Sequence, residues 1–132
     1  SIRRQRQMCI RDSFMRTLEQ IEQRLMKNGL LLRYDSDSCS DGLTPGEGTF
    51  LVCSFWLADV YVLLGRQAKA EALYQHLTGL CNDLGLLAEQ YDSAGQRMLG
   101  NFPQAFSQIG IINTALNLHR AQCPARDRAR CG

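Results

Sequence analysis

No stretch of this chain is long and apolar enough to read as a membrane span. The nearest, Phe50 to Leu64, is too short and is interrupted by Asp59. No signal peptide is legible. Histidine is scarce, and neither His76, in an outer helical pattern, nor His119, near the end, reads as catalytic. The 6 cysteines lack the clustered Cys and His spacing of a zinc site. Cys53 and Cys81 fall inside helical patterns, where cysteine acts as a small buried hydrophobe. Cys39 is alone in a loop, and Cys9, Cys123 and Cys131 fall towards the ends. Reduced cysteines are expected, and with them a cytoplasmic location.

Concentrated positive charge is also missing once the ends are set aside. Residues 1–13 hold 4 Lys and Arg and residues 120–132 another 4, with 1 acidic residue in each segment. Residues 14–119 hold 7 basic and 11 acidic residues, a net −4 against +2 for the whole chain. A nucleic-acid surface needs clustered Lys and Arg, so nucleic acid is not an expected partner. Neither is a membrane.

The ends need separate explanations. Arg3-Arg4-Gln5-Arg6-Gln7-Met8-Cys9-Ile10-Arg11-Asp12-Ser13 reads as the translation of a transposase-type sequencing adapter, with Met8 to Asp12 from the codons ATG TGT ATA AGA GAC. Residues 1–13 are therefore expected to be an artefact, with the true coding sequence upstream of Phe14 lost. The competing reading is a basic arm for nucleic acid. Residues 120–132 have no apolar periodicity and read as a polar, disordered tail.

What is present, at 132 residues and 45% apolar, suffices for one modest core. Phe14, Leu18, Ile21 and Leu25 share one face of an amphipathic helix, expected to stop near Asn28-Gly29. Phe50 to Leu64 is apolar all round, a helix buried on all sides, with Thr49 as its expected N-cap and Gly65 as its stop. Gln67 to Cys81 is amphipathic, with Ala70, Leu73, Leu77 and Leu80 on one side. A last helix is expected to open at Pro103 and run through Phe106, Ile109, Ile112 and Leu116. The order is outer, long loop, inner, short turn, outer, long loop, inner. Both long loops then lie at one end of the helices, where sites are usually built. Tyr34-Asp35-Ser36 and Tyr91-Asp92-Ser93 echo each other in those loops.

The second loop reads Leu84-Gly85-Leu86-Leu87-Ala88-Glu89-Gln90-Tyr91-Asp92, followed by Leu99-Gly100-Asn101-Phe102-Pro103-Gln104-Ala105-Phe106-Ser107. With Arg33-Tyr34-Asp35 and Gly46-Glu47-Gly48-Thr49-Phe50, it resembles glycoside hydrolase family 15, the glucoamylases, glucodextranases and bacterial-type trehalases. The resemblance covers residues 14–118 and corresponds to the last part of a family catalytic domain. It implies an all-α fold, about four helices of an (α/α)6 barrel of six helical hairpins; periodicity alone would equally allow a helical solenoid. A piece of such a barrel leaves apolar inner-helix surface uncovered.

Inverting glycosidases use two carboxyl groups, a general acid and a base that activates water. The resemblance implies that Glu89 is the base. It places the acid upstream of Phe14, since Glu19, Glu22 and Glu71 fall on outer helices, so the chain alone is expected to be inactive. Arg33, which precedes Tyr34 as the arginine that lines the sugar site in relatives does, and Asp37 are candidate sugar-binding residues; a loop-stabilising ion pair is the other reading. Glu47 either contacts sugar or sits favourably at the start of the following helix. Phe50 and Trp56 could stack on a pyranose, but in an apolar helix they are read as core. Asn101 and Gln104 either orient Glu89 or cap the last helix. Gly100 departs from fungal glucoamylases, which carry a serine there that hydrogen-bonds the base; Gly-Asn-Phe-Pro-Gln-Ala-Phe is common in bacterial members.

The expected reaction needs no cofactor and no metal. The expected substrate is an oligosaccharide or disaccharide, with α-1,4-glucan placed first and trehalose second. The sequence leaves the oligomeric state open. The reading from another class is a helical-repeat interaction module without catalysis.

Overall fold

The computed structural model describes residues 2–34 and 48–122. Asp35, Asp37 and Glu47 lie outside them. Four helices carry the fold: α1 Ile2–Leu25, α2 Leu51–Leu63, α3 Gln67–Thr78 and α4 Ala105–Gln122. Between them are short strands, where the sequence predicts helix ends for the first and third and loop for the others: β1 Met26–Lys27, β2 Leu30–Leu31, β3 Thr49–Phe50, β4 Gln90–Asp92 and β5 Arg97–Leu99.

The core is built around α2. Leu51, Phe55, Ala58 and Tyr61 of that helix are buried against Ala70, Leu73 and Leu77 of α3, Leu118 of α4 and Leu30 of β2. Full burial of one such side chain stabilises by roughly 1.5–3 kcal/mol. The end of α2 follows from its sequence. Gly65 takes φ +73°, and the Gly65 and Arg66 N–H groups return to the Val62 and Tyr61 carbonyls at 3.0 and 2.8 Å. This is a Schellman end, which a left-handed residue permits.

At the end of α1 the chain does something other than stop. Asn28 and Gly29 both adopt positive φ, +53° and +80°, and join β1 to β2 with Met26 opposite Leu31 and Lys27 opposite Leu30. Two left-handed residues in succession make the tight hairpin turn for which Asn-Gly is best suited. Leu18 is the first buried side chain of α1, at 3% exposure, while Met8, Ile10 and Phe14 stay exposed.

The last helix differs in two ways from its expected form. Pro103 is not its first residue. The Phe102–Pro103 bond is cis, and the Gln104 N–H is held by the Leu87 carbonyl at 3.0 Å, so helical bonding begins only with Gln108 N–H to Gln104 O. At its far end α4 reaches Gln122, whose Nε2 donates to Glu71 Oε1 at 2.7 Å, so residues 120–122 belong to the helix rather than to a tail.

Its buried face is also small and polar: Ser107, Gly110, Thr114 and Leu118. A Cβ on Gly110 would lie 2.7 Å from the Phe55 ring, so glycine is what lets α4 close on α2. The apolar stripe Phe106, Ile109, Ile112 and Leu116 points outward, at 62%, 49%, 59% and 48% exposure. The expectation of uncovered apolar inner-helix surface therefore holds. Trp56, read as core, is instead 60% exposed, because it lies on the flank of α2 away from α3 and α4.

Candidate active site

Glu89 is placed by backbone bonding on every side. Leu87 and Ala88 before it are buried, at 0% and 1% exposure. The Ala88 carbonyl accepts from the Ser107 hydroxyl on α4 at 2.7 Å. The Leu87 carbonyl accepts from Gln104 N–H, and the Glu89 carbonyl accepts from Leu51 N–H, the first residue of α2, at 3.1 Å. Three successive carbonyls are thus taken by the lead-in to α4, by α4 itself and by α2. The small hydroxyl residue on the inner face of α4 has a positional task, and Ser107 could not be replaced by a larger apolar residue without losing it.

Just past Glu89 the chain enters an antiparallel sheet of order β3-β4-β5. Thr49 pairs with Tyr91 and Phe50 with Gln90, while Gln90 pairs with Leu99 and Asp92 with Arg97. Thr49 is therefore a strand residue. Its hydroxyl donates to the Tyr91 carbonyl at 2.9 Å, and α2 begins after Phe50 with no side-chain cap. Gly48 is needed for this approach: a Cβ there would sit 2.8 Å from the Tyr91 carbonyl oxygen. Its N–H is received by Gln90 Oε1 at 3.1 Å.

The Glu89 side chain is half-buried. Its Oε2 accepts from the Asn101 N–H at 3.2 Å and from Asn101 Nδ2 at 3.1 Å. In return the Glu89 N–H donates to the Asn101 carbonyl at 2.9 Å. Oε1 receives no hydrogen bond from the described residues. Of the two residues read as orienting Glu89 or capping α4, Asn101 does the first and Gln104 stands at the start of the helix. Neither ion pair among the described residues involves Glu89.

Arg33 follows β2 and is exposed. Its guanidinium carbon stands 5.5 Å from the Phe50 ring centre and 5.9 Å from that of Tyr34. Phe50 is consequently the platform for an arginine rather than a core residue. The Arg33–Asp37 pairing and the role of Glu47 both fall outside the described residues.

Asp92, next to the motif, shapes the β4–β5 turn. Its Oδ1 accepts the Ala94 and Gly95 N–H groups, each at 3.0 Å. Those bonds, the Gly95 one first, hold its carboxyl below the usual carboxylate range.

Glu89 lines neither of two concavities found among the described residues. One, of 540 Å³, is bordered by Glu22, Gly29, Tyr61, Lys69 and His76. The other, of 290 Å³, is apolar and lies between α1 and α2, with Phe14, Leu18 and Trp56 in its wall. No group of three or more His, Cys, Asp and Glu suited to a metal ion occurs among the described residues. None of their helices is long and apolar enough to cross a membrane.

Comparison with known proteins gives the family of the chain. The sequence pattern of glycosyl hydrolases family 15 matches residues 3–116. A trehalase of Mycolicibacterium smegmatis is 40% identical over 106 residues, 80% of this chain and 16% of that protein. A trehalase of Thermoplasma volcanium is 40% identical over 111 residues, 83% of this chain and 17% of that protein. Trehalase 1 of Sulfolobus acidocaldarius is 34% identical over 99 residues, 75% of this chain and 17% of that protein. The chain spans 16–17% of the length of these relatives. No solved structure gives a significant match. A match of this extent, over the segment that holds Glu89, Asn101 and the inner helices, means that the chain belongs to glycosyl hydrolases family 15.

Proposed function

We propose that this chain is the C-terminal segment of an inverting glycoside hydrolase that splits trehalose, with Glu89 as the general base. The observation that carries the chemistry is the Glu89 carboxylate, fixed through Oε2 by neutral N–H donors and without a protein donor on Oε1 among the described residues. A base must be ionised and must keep a lone pair for the proton it removes from water. The general acid would come from another segment of the same enzyme, as would the wall of the site facing Glu89. Inversion would require some 6.5–9.5 Å between the two carboxyl groups, with the water between them. Arg33, Asp37 and Glu47 remain the candidates for contacts to sugar.

The substrate order of the sequence analysis is reversed here. Relatives from bacteria and archaea, each bearing the name trehalase, match three quarters or more of this chain, and that favours trehalose over an α-1,4-glucan. The test is the complete enzyme containing this segment, assayed for glucose release from trehalose, maltose and soluble starch, as wild type and as Glu89→Gln. Trehalose is expected to be preferred, and the variant to lose about 10²–10⁴-fold in kcat. Preference for starch would move the enzyme to the glucan reading. Near-normal turnover by Glu89→Gln would remove the mechanism.

We also propose that residues 1–13 are translated adapter and that the polar tail is not part of the site. The exposure of Met8 and Ile10 along α1 supports the first, while the family match from residue 3 runs against it. Genomic DNA upstream of Phe14 decides: different codons there support the proposal, and the same codons in assembled genomic sequence overturn it.

A further inference from the structure

We propose that Asn101 is the positioning residue of the hydrolytic site, selecting Oε1 of Glu89 as the atom that takes the proton from water; the inference rests on Glu89 being the base. Asn101 meets Glu89 three times. Its N–H and its Nδ2 converge on Oε2 at 3.2 and 3.1 Å, and its carbonyl receives the Glu89 N–H at 2.9 Å. A carboxylate oxygen already accepting two N–H donors is the poorer base of the pair. The same two bonds fix the rotation of the carboxylate about its last torsion, which is otherwise soft. Base and water must be aligned before reaction, so freezing that torsion lowers the cost of reaching a reactive geometry.

Gly100 makes the arrangement possible. It adopts φ +75°, a region that side chains other than glycine's disfavour, and a Cβ there would stand 2.9 Å from Oε2 and 3.1 Å from the Cβ of Glu89. In this chain a side chain at position 100 would crowd both the carboxylate and the Cβ of Glu89. The chain therefore leaves position 100 bare and supplies the donor from position 101.

The test uses the complete enzyme with Asn101→Ala, Asn101→Asp and Glu89→Gln. Asn101→Ala keeps both backbone bonds and loses only Nδ2. It should lower kcat about 10-fold with KM nearly unchanged, the lower range for a hydrogen bond to an ionised group at an exposed position. Asn101→Asp keeps the shape but replaces a donor with a like charge, and should cost more, about 100-fold at neutral pH. A merely structural role would tolerate the isosteric aspartate, so wild-type kcat in Asn101→Asp overturns the proposal. So does a loss confined to KM. If Glu89→Gln is inactive while both Asn101 variants turn over normally, only this inference falls. If Glu89→Gln itself stays active, the base assignment and this inference fall together.

Discussion

Two glutamates stand at opposite ends of α2, about 15 Å apart along its axis, and they are held in opposite ways. Glu22, on α1, takes its partners from α2 and α3: the Tyr61 hydroxyl donates to its Oε1, and Lys69 Nζ lies 2.9 Å from the same atom. Lys69 also stands 5.1 Å from the centre of the Tyr61 ring. The Tyr61 hydrogen bond, followed by Lys69, keeps the Glu22 carboxyl below its ordinary range. Burial, with the glutamate beside it, pushes the Tyr61 hydroxyl far up. Among the described residues Glu89 has neither a cation nor a hydroxyl on it; both its donors there are neutral N–H groups of one residue. A carboxylate whose charge is matched by a cation is well suited to joining helices. One held only in orientation, with an oxygen left free, is suited to moving a proton.

Exchanging the two effects is the sharpest way to break that comparison. Glu89→Gln should remove about 10²–10⁴-fold of kcat in the complete enzyme while moving stability by no more than ~0.5 kcal/mol. Steady-state kinetics beside a urea melt read both. Glu22→Gln should do the reverse, leaving kcat alone and lowering stability by about 1–2 kcal/mol. Equal losses of activity from both variants would end the distinction.

A destabilisation similar to that of Glu22→Gln should follow from closing the gap that lets α4 reach α2. Gly110→Ala places a methyl against the Phe55 ring, and overpacking of this kind costs about 1–3 kcal/mol. A shift of several degrees in Tm is expected for a domain of this size, and an unchanged Tm would contradict the close approach of the two helices.

The smallest effect is the pH dependence of the Glu22 cluster. Because its folded pKa lies below the ordinary 4.5, its contribution is complete above that pH and fades as the pH falls further, through the folded value. The urea-midpoint difference between wild type and Glu22→Gln should thus be constant from pH 7 to 5 and shrink below about 4.5. A difference that instead grows on acidification would reverse the sign assigned to Glu22.

How much of this was legible beforehand depends on the physical scale of each signal. Helices α2 and α3 were bounded within a few residues, because an apolar run closed by Leu64-Gly65-Arg66 is a long signal with a clear stop. Glu89 was singled out through its motif. The strands were not: pairings of two or three residues such as Thr49–Phe50 with Gln90–Tyr91 carry too little alternation to see. The same brevity made Thr49 read as a cap and Asn28-Gly29 as a helix stop.

The orientation of α4 was missed for a different reason. Hydrophobic periodicity points to Phe106, Ile109, Ile112 and Leu116, whereas the packed face is Ser107, Gly110 and Thr114. In a helix with two partners, the large residues serve one contact and the small ones the other. Among the described residues only the second contact is present. Asn101 was among the candidates, and Gly100 beside it was the remaining signal: a glycine where a side chain would have met the carboxylate.

The most direct measurement is product analysis of Glu89→Ala in the complete enzyme, with and without azide. If Glu89 is the base, the variant is nearly inactive on trehalose in water. Azide, which needs no base, then restores turnover and yields the β-glucosyl azide by attack on the face that water would have used. Continued hydrolysis by Glu89→Ala at close to the wild-type rate would place the base elsewhere and contradict the account.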